Sequence, residues 1–192
     1  MNQLTTDQFS TDQPVAVSTD TLDRSPQSPK ETKSRRFAKP QRIAFIQACW
    51  HREIVEECRI SFNREIEARG ISLSHVDVIE VPGVFEIPLH AQLLAKTRRY
   101  TGIVAAGFVV DGGIYRHEFV ADTVIKALMD VQLQTEIPIF SAVLTPQQFH
   151  EHAAHVEFFR QHFAIKGVEV AAACADTLLS LETLYASVGT GS

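Results

Sequence analysis

Nowhere in the 192 residues does an apolar run reach the roughly 18 residues that a membrane span requires. No spanning helix is expected. The opening MNQLTTDQFSTDQPVAV has no basic stretch followed by an apolar one, so no secretory leader is expected either. Positive charge is not in excess. A formal net charge of -5 argues against a general nucleic-acid binder, which gains affinity by neutralising phosphates. Cysteine is scarce. Cys49, Cys58 and Cys174 show neither metal nor redox spacing and fit a reducing cytoplasm, where thiols stay free. No Ser-His-Asp, Cys-His or paired-carboxylate arrangement stands out. The Gly112-Gly113 pair is not followed by Gly-Lys-Ser/Thr, which excludes a P-loop, and it does not form a dinucleotide fingerprint.

What is present is ordinary soluble composition, with 45% hydrophobic and 21% charged residues. Residues 1–40 are rich in Thr, Ser, Asp, Gln and Pro and carry almost no periodic apolar positions. Such a segment cannot bury enough surface to offset its ordering entropy, so it reads as a disordered tail. Its end is basic, with Lys30, Lys33, Arg35, Arg36 and Lys39. That run is either a solvated linker or an anion- or partner-binding arm. A single domain is expected over 41–188.

Within that domain IAFIQA (43–48) has the length and composition of a strand. A helix follows, with Ile54, Cys58, Phe62 and Ile66 at i+4 spacing and Gly70 at the expected C-cap. Cys58 and Cys174 fall in apolar helical patterns and read as small core residues. HVDVIEV (75–81) alternates as a strand does. Pro82-Gly83 then turns into a helix ending near Arg98. GIVAAGFVV (102–110) is continuously apolar, as expected for a strand buried on both faces. A helix over about 116–134, a strand over 137–144, and helices over about 146–162 and 167–185 complete the pattern. Strands alternating with helices predict an α/β fold, a parallel sheet covered on both faces. Ligands of such sheets lie at the carboxyl ends of the strands.

Those ends carry the candidate chemistry. Trp50, the only tryptophan, follows the first strand; it is either a stacking face for a flat heterocycle or a core aromatic. Glu86, in PGVFEIP (82–88), either accepts hydrogen bonds from hydroxyls or simply favours a helix N-terminus. In Asp111-Gly112-Gly113-Ile114-Tyr115-Arg116-His117 the glycines allow close backbone approach, and the helix start favours an anion. Arg116 suits phosphate and His117 suits proton transfer, unless the pair is merely solvated. His150, His152, His155 and His162 lie in the fourth helical pattern. His150 and His152 would point apart on a helix, so a metal site is not expected. Lys166 is either a phosphate partner or a surface lysine.

Taken together, Trp50-His51, VPGVFEIP (81–88), GFVVDGGIYRHEFV (107–120), VLT (143–145) and KGVE (166–169) resemble the 6,7-dimethyl-8-ribityllumazine synthase family over about residues 42–185. The resemblance implies a flavodoxin-like three-layer α/β/α sandwich with a four-stranded parallel sheet. It implies condensation of 5-amino-6-(D-ribitylamino)uracil with 3,4-dihydroxy-2-butanone 4-phosphate, without a cofactor or metal. It also implies a homo-oligomer, a pentamer or a dimer of pentamers, whose sites lie between neighbouring subunits.

Carried over by motif, Trp50 stacks on the pyrimidine, where Phe is more usual. Val84, Phe85 and Glu86 hold the ring and ribityl hydroxyls. The backbone of Val109 and Val110 meets the pyrimidine edge. Asp111, Gly112 and Gly113 open the phosphate loop, and Lys166 and Glu169 line the ribityl end. This chain departs from the family pattern at Asp111 (usually Arg), Ile114 (usually Thr) and Arg116, which occupies the slot of the catalytic His. His117 follows one position later. His155 stands for a phosphate-binding Arg, and Ser141 for an aromatic. These changes resemble the divergent decameric branch of rhizobial and Brucella-type bacteria. Arg116 or His117 is then the proton-transfer group. A lumazine- or flavin-binding protein of little turnover is the competing reading, favoured by the altered His and Arg positions. A purely structural assembly protein would leave the placement of Trp50, Phe85 and Glu86 unexplained.

Overall fold

A computed structural model describes residues 37–111 and 116–189. Most of the expected disordered tail, and Gly112 and Gly113, lie outside the described residues.

The predicted strands are present as β1 (Ile43–Ala48), β2 (Val76–Val81), β3 (Gly102–Phe108) and β4 (Ile139–Leu144). They form one parallel sheet in the order β2-β1-β3-β4. Central β1 sets Ile46 opposite Ile79 on one side and Ala105 on the other. The helices are α1 (Arg52–Ala68), α2 (Ile87–Lys96), α3 (His117–Thr135) and α4 (Ala153–Gly189).

The two-residue strand period sorts side chains between two cores. Ile43, Phe45, Val104 and Ala106 pack with Cys58 and Phe62 of α1 and with Phe163 and Cys174 of α4. Ala44, Ile46, Ile103 and Ala105 pack with Ile87 and Ala91 of α2 and with Val124 and Leu128 of α3. Every residue of β1 and β3 is buried, because both faces of both strands are covered. This is the expected three-layer sandwich. Cys58 and Cys174 are core residues, as read from the helical pattern. Burial pushes the Cys58 thiol up to about 12 and raises that of Cys174 too, so neither is a nucleophile.

One expectation is overturned. The two C-terminal helices, 146–162 and 167–185, are a single helix of 37 residues that begins only at Ala153. Gly167 does not separate two helices. It is the contact point where α4 crosses α1: a Cβ there would lie 2.2 Å from Ser61 Oγ and 2.3 Å from the Cys58 carbonyl. The glycine costs about 1 kcal/mol of helix propensity relative to alanine, and the close crossing it allows offsets that loss. Residues 146–152 are irregular because Phe149 turns inward, 8% exposed, against Phe108.

Gln41, Ala38 and Lys39 hold the chain entry in place. The Gln41 side-chain amide (2.7 Å) and the Ala38 backbone N–H (3.1 Å) donate to the Glu182 carboxylate on α4, as does the Lys39 N–H at 3.2 Å. At the base of the sheet Arg42 makes a forked pair with Asp77 (2.7 and 3.0 Å), and the Tyr100 hydroxyl donates to the same carboxylate at 2.8 Å. Partial burial opposes ionisation of Asp77, but hydrogen bonds from Arg42 and Tyr100 outweigh it. They hold the carboxyl below its usual range.

Candidate functional site

Three strand-to-helix turns at the carboxyl ends of β1, β2 and β3 enclose a cavity of about 690 Å³, within the usual size for a small-molecule site. From β1 come Trp50 and His51; from the turn after β2, Gly83, Val84, Phe85 and Glu86. The end of β3 supplies Phe108, Val109, Val110 and Asp111, and α3 supplies His117 and Val120. Phe149 and Glu151 close it from the segment after β4.

Local physics explains each placement. The turn after β2 seats against β3 because position 107 is glycine; a Cβ there would come within 2.3 Å of Val84 Cγ1. Glu86 reaches back so that its Oε2 accepts from the Gly83 N–H at 2.9 Å. That contact stabilises the helix start, the second of the two readings of Glu86, and the same residue lines the cavity. The Trp50 indole lies over this turn, 3.9 Å from where a Gly83 side chain would begin, and is 71% exposed. Phe85 is 65% exposed. Of the two readings of Trp50, the core aromatic is excluded. The Val109 N–H donates to the Leu144 carbonyl at 2.9 Å. Any main-chain contact to a ligand here must use other groups of Val109 and Val110.

The Arg-His pair divides. His117, the first residue of α3, has a side chain only 13% exposed that lines the cavity. Its Nδ1 lies 3.6 Å from the Glu118 carboxylate. Arg116 is exposed and stands outside the lining, its guanidinium 4.6 Å from the centroid of the Phe119 ring.

Four other candidates are not brought to this cavity within one chain. Lys166 and Glu169 pair with each other at 2.5 Å along α4. Ser141 is exposed on edge strand β4, where its Oγ accepts from the Val143 N–H at 3.3 Å. His155 stacks on His150, ring centroids 5.4 Å apart, and meets the His152 ring at a tilt with centroids 4.5 Å apart. Those last two precede α4 rather than lying on it, so the expectation that they diverge on a helix is also corrected. His152 Nδ1 accepts the His155 N–H at 3.4 Å, and His155 Nδ1 accepts the His150 N–H at 3.2 Å. Among the described residues no group of histidine, cysteine or carboxylate side chains is placed to hold a metal ion.

Sequence reasoning did not nominate His51, Phe108, Phe149, Val120 or Glu151. His51 had a signal, its place beside Trp50. The phenylalanines had none, because their meeting is a long-range contact between β3 and the segment before α4.

Residues 40–182 match the family described as 6,7-dimethyl-8-ribityllumazine synthase. A protein named 6,7-dimethyl-8-ribityllumazine synthase 2 from Bradyrhizobium diazoefficiens is 77% identical over 156 residues, 81% of this chain and 93% of that protein. Proteins of the same name are 65% identical in Rhodopseudomonas palustris, covering 81% of this chain and 85% of theirs, and 58% identical in Pseudomonas syringae, covering 75% and 85%.

Proposed function

The chain belongs to the 6,7-dimethyl-8-ribityllumazine synthase family, and we propose that the cavity beneath Trp50 is where its reaction takes place. It is a transferase of riboflavin biosynthesis, condensing 5-amino-6-(D-ribitylamino)uracil with 3,4-dihydroxy-2-butanone 4-phosphate. The observation that carries the site reading is the convergence of Trp50, Phe85, Glu86 and His117 on one cavity from three separate turns.

In this reading the pyrimidine stacks on the exposed Trp50 face and rests against Val84 and Phe85. The Glu86 carboxylate accepts from ribityl hydroxyls, and the main chain at Val109 and Val110 meets the pyrimidine edge. The ketone phosphate binds toward Asp111, Gly112, Gly113 and the start of α3, whose N-terminus favours an anion. The amine adds to the ketone and water is lost to give the imine. Phosphate leaves, and ring closure and a second loss of water complete the product. His117 serves as the proton-transfer group, because it faces the cavity and Arg116 does not. Much of the acceleration comes from holding two reactive partners together.

Ser141, His155, Lys166 and Glu169 are then contributions to a neighbouring subunit's site, with Arg116 beside its phosphate. Exposed apolar side chains on the outer faces of α2 and α3, among them Leu89, Leu93, Phe119 and Met129, support burial against another copy. We assign a pentamer or dimer of pentamers in the cytoplasm. Purified protein mixed with both substrates should form fluorescent lumazine faster than the uncatalysed background. Equal rates would overturn the site and the activity together. The binding-protein alternative is not favoured, given relatives at this identity named as synthases.

A further inference from the structure

His51 stands beside Trp50 in the motif after β1 and lines the cavity, yet the role assignments above give it nothing to do. Its backbone is left-handed, φ 50° and ψ 46°, a conformation rare for a residue with a side chain and often found where function requires it. Position 51 is also the N-cap of α1, and its carbonyl accepts from the Ile54 N–H at 2.9 Å and the Val55 N–H at 3.1 Å. A helix cap prefers Ser, Thr, Asp or Asn, whose side chains satisfy the free N–H groups of the first turn. The His51 side chain makes no such bond. Instead it lines the cavity, its ring edge-on to Phe108 at 5.7 Å and Phe149 at 5.1 Å. Two phenyl rings fix the plane of the imidazole, and its nearest ionic neighbour is Glu53, 4.0 Å from Nδ1. The carboxylates that share the cavity are Glu86, Asp111 and Glu151.

We propose that His51 is a second catalytic imidazole, on the amine side of the condensation. It follows Trp50 directly and so stands beside the stacked, amine-bearing pyrimidine. His117 lines the same cavity from the start of α3 and takes the side of the ketone. As the amine nitrogen adds to the ketone carbon, the N–C bond forms and the carbonyl π pair moves to oxygen. Neutral His51 takes the proton from nitrogen, and protonated His117 gives one to that oxygen. The product is the neutral carbinolamine, with one proton moved from nitrogen to oxygen. His51 then returns its proton as hydroxide departs as water, and the iminium so formed gives its remaining N–H proton to the now neutral His117, leaving the imine and both imidazoles as they began.

This rests on the cavity being the condensation site, which the unmodified protein tests first. Lumazine formation no faster than background would overturn that reading and this role with it. With the unmodified enzyme active, His51→Asn is the deciding variant. Asparagine tolerates the left-handed backbone and caps helices but carries no acid-base group. The expected result is a fall in kcat of about 10²-fold, the low end for a positioned acid-base group. KM and Tm should stay near the original. The acidic limb of the kcat/KM profile should lose one ionisation, since only neutral His51 accepts the proton. His51→Gln serves as a second non-titrating variant with a longer side chain. Unchanged kcat in His51→Asn, or a fall in both variants that follows only the folded fraction, would overturn the assignment and leave His51 a packing residue.

Discussion

The α1–α4 crossing and the rim of the cavity use the same kind of residue for opposite ends. At the crossing, Phe62, Cys58 and Phe163 have no exposed surface, and Gly167 brings two helix backbones together. At the rim, Trp50 and Phe85 leave most of their surface in water. Burying a large aromatic side chain is strongly favourable, so a fold that leaves two beside a cavity has not used them for its own stability. They remain for a ligand or another subunit. Substitutions should therefore separate stability at the crossing from function at the rim.

The largest effect is expected at the crossing. Phe62→Ala should cost about 3–5 kcal/mol of stability through lost burial and the cavity left behind. Denaturant melts would show it. Ligand affinity of the fraction that still folds should be unchanged, and weaker binding there would mean that the two regions are coupled.

At the rim, His117→Asn should lower turnover by about 10²-fold, with little change in melting temperature. Arg116→Ala, whose guanidinium rests on Phe119, should have the smaller effect on the acid-base pH profile. If Arg116→Ala alone altered that profile, the roles of the two residues would be reversed.

Trp50→Ala should weaken lumazine binding by roughly 1–3 kcal/mol, the range for loss of an aromatic stacking face, while the melt barely moves. Trp50→Phe should keep most of the binding. Because Trp50 is the only tryptophan, ligand should quench the protein's emission directly. A large loss of stability in Trp50→Ala would erase the contrast with Phe62.

The smallest effect concerns the base of the sheet, away from both regions. Asp77→Asn should cost about 1 kcal/mol, since the forked pair with Arg42 is partly exposed. The folded-state carboxyl is held below its ordinary value, so its stabilisation is present above the unfolded value of about 3.9. It is lost as pH falls through the folded value. Melting curves of Asp77→Asn and the original should converge in acid. A constant gap across pH would mean the pair's charge contributes nothing.

The difference between the regions was legible in the sequence only in part. The continuous apolar run of β3 announced a strand covered on both faces, and the i+4 series from Ile54 to Ile66 announced the buried face of α1. Trp50 was placed at a strand end by the same periodicity, but its exposure depends on what packs over it. That is decided by the turn at Gly83, far off in sequence. Gly167 carried a misleading signal. Glycine disfavours helix interiors through local entropy, and a local reading breaks the helix there. The cost is offset only by contact with Ser61 and Cys58, which no local reading contains.

The sequence by itself therefore determined the order and type of the strands and of the first three helices. It also determined which turns meet at the carboxyl ends of the sheet, because hydrophobic periodicity and strand alternation are local and set the layers directly. Tertiary structure alone decided that α4 is one helix, that His117 and not Arg116 faces the cavity, and that Phe108 and Phe149 grip His51. Each of these follows from the meeting of side chains distant along the chain. Their energies enter only when the backbone is already folded.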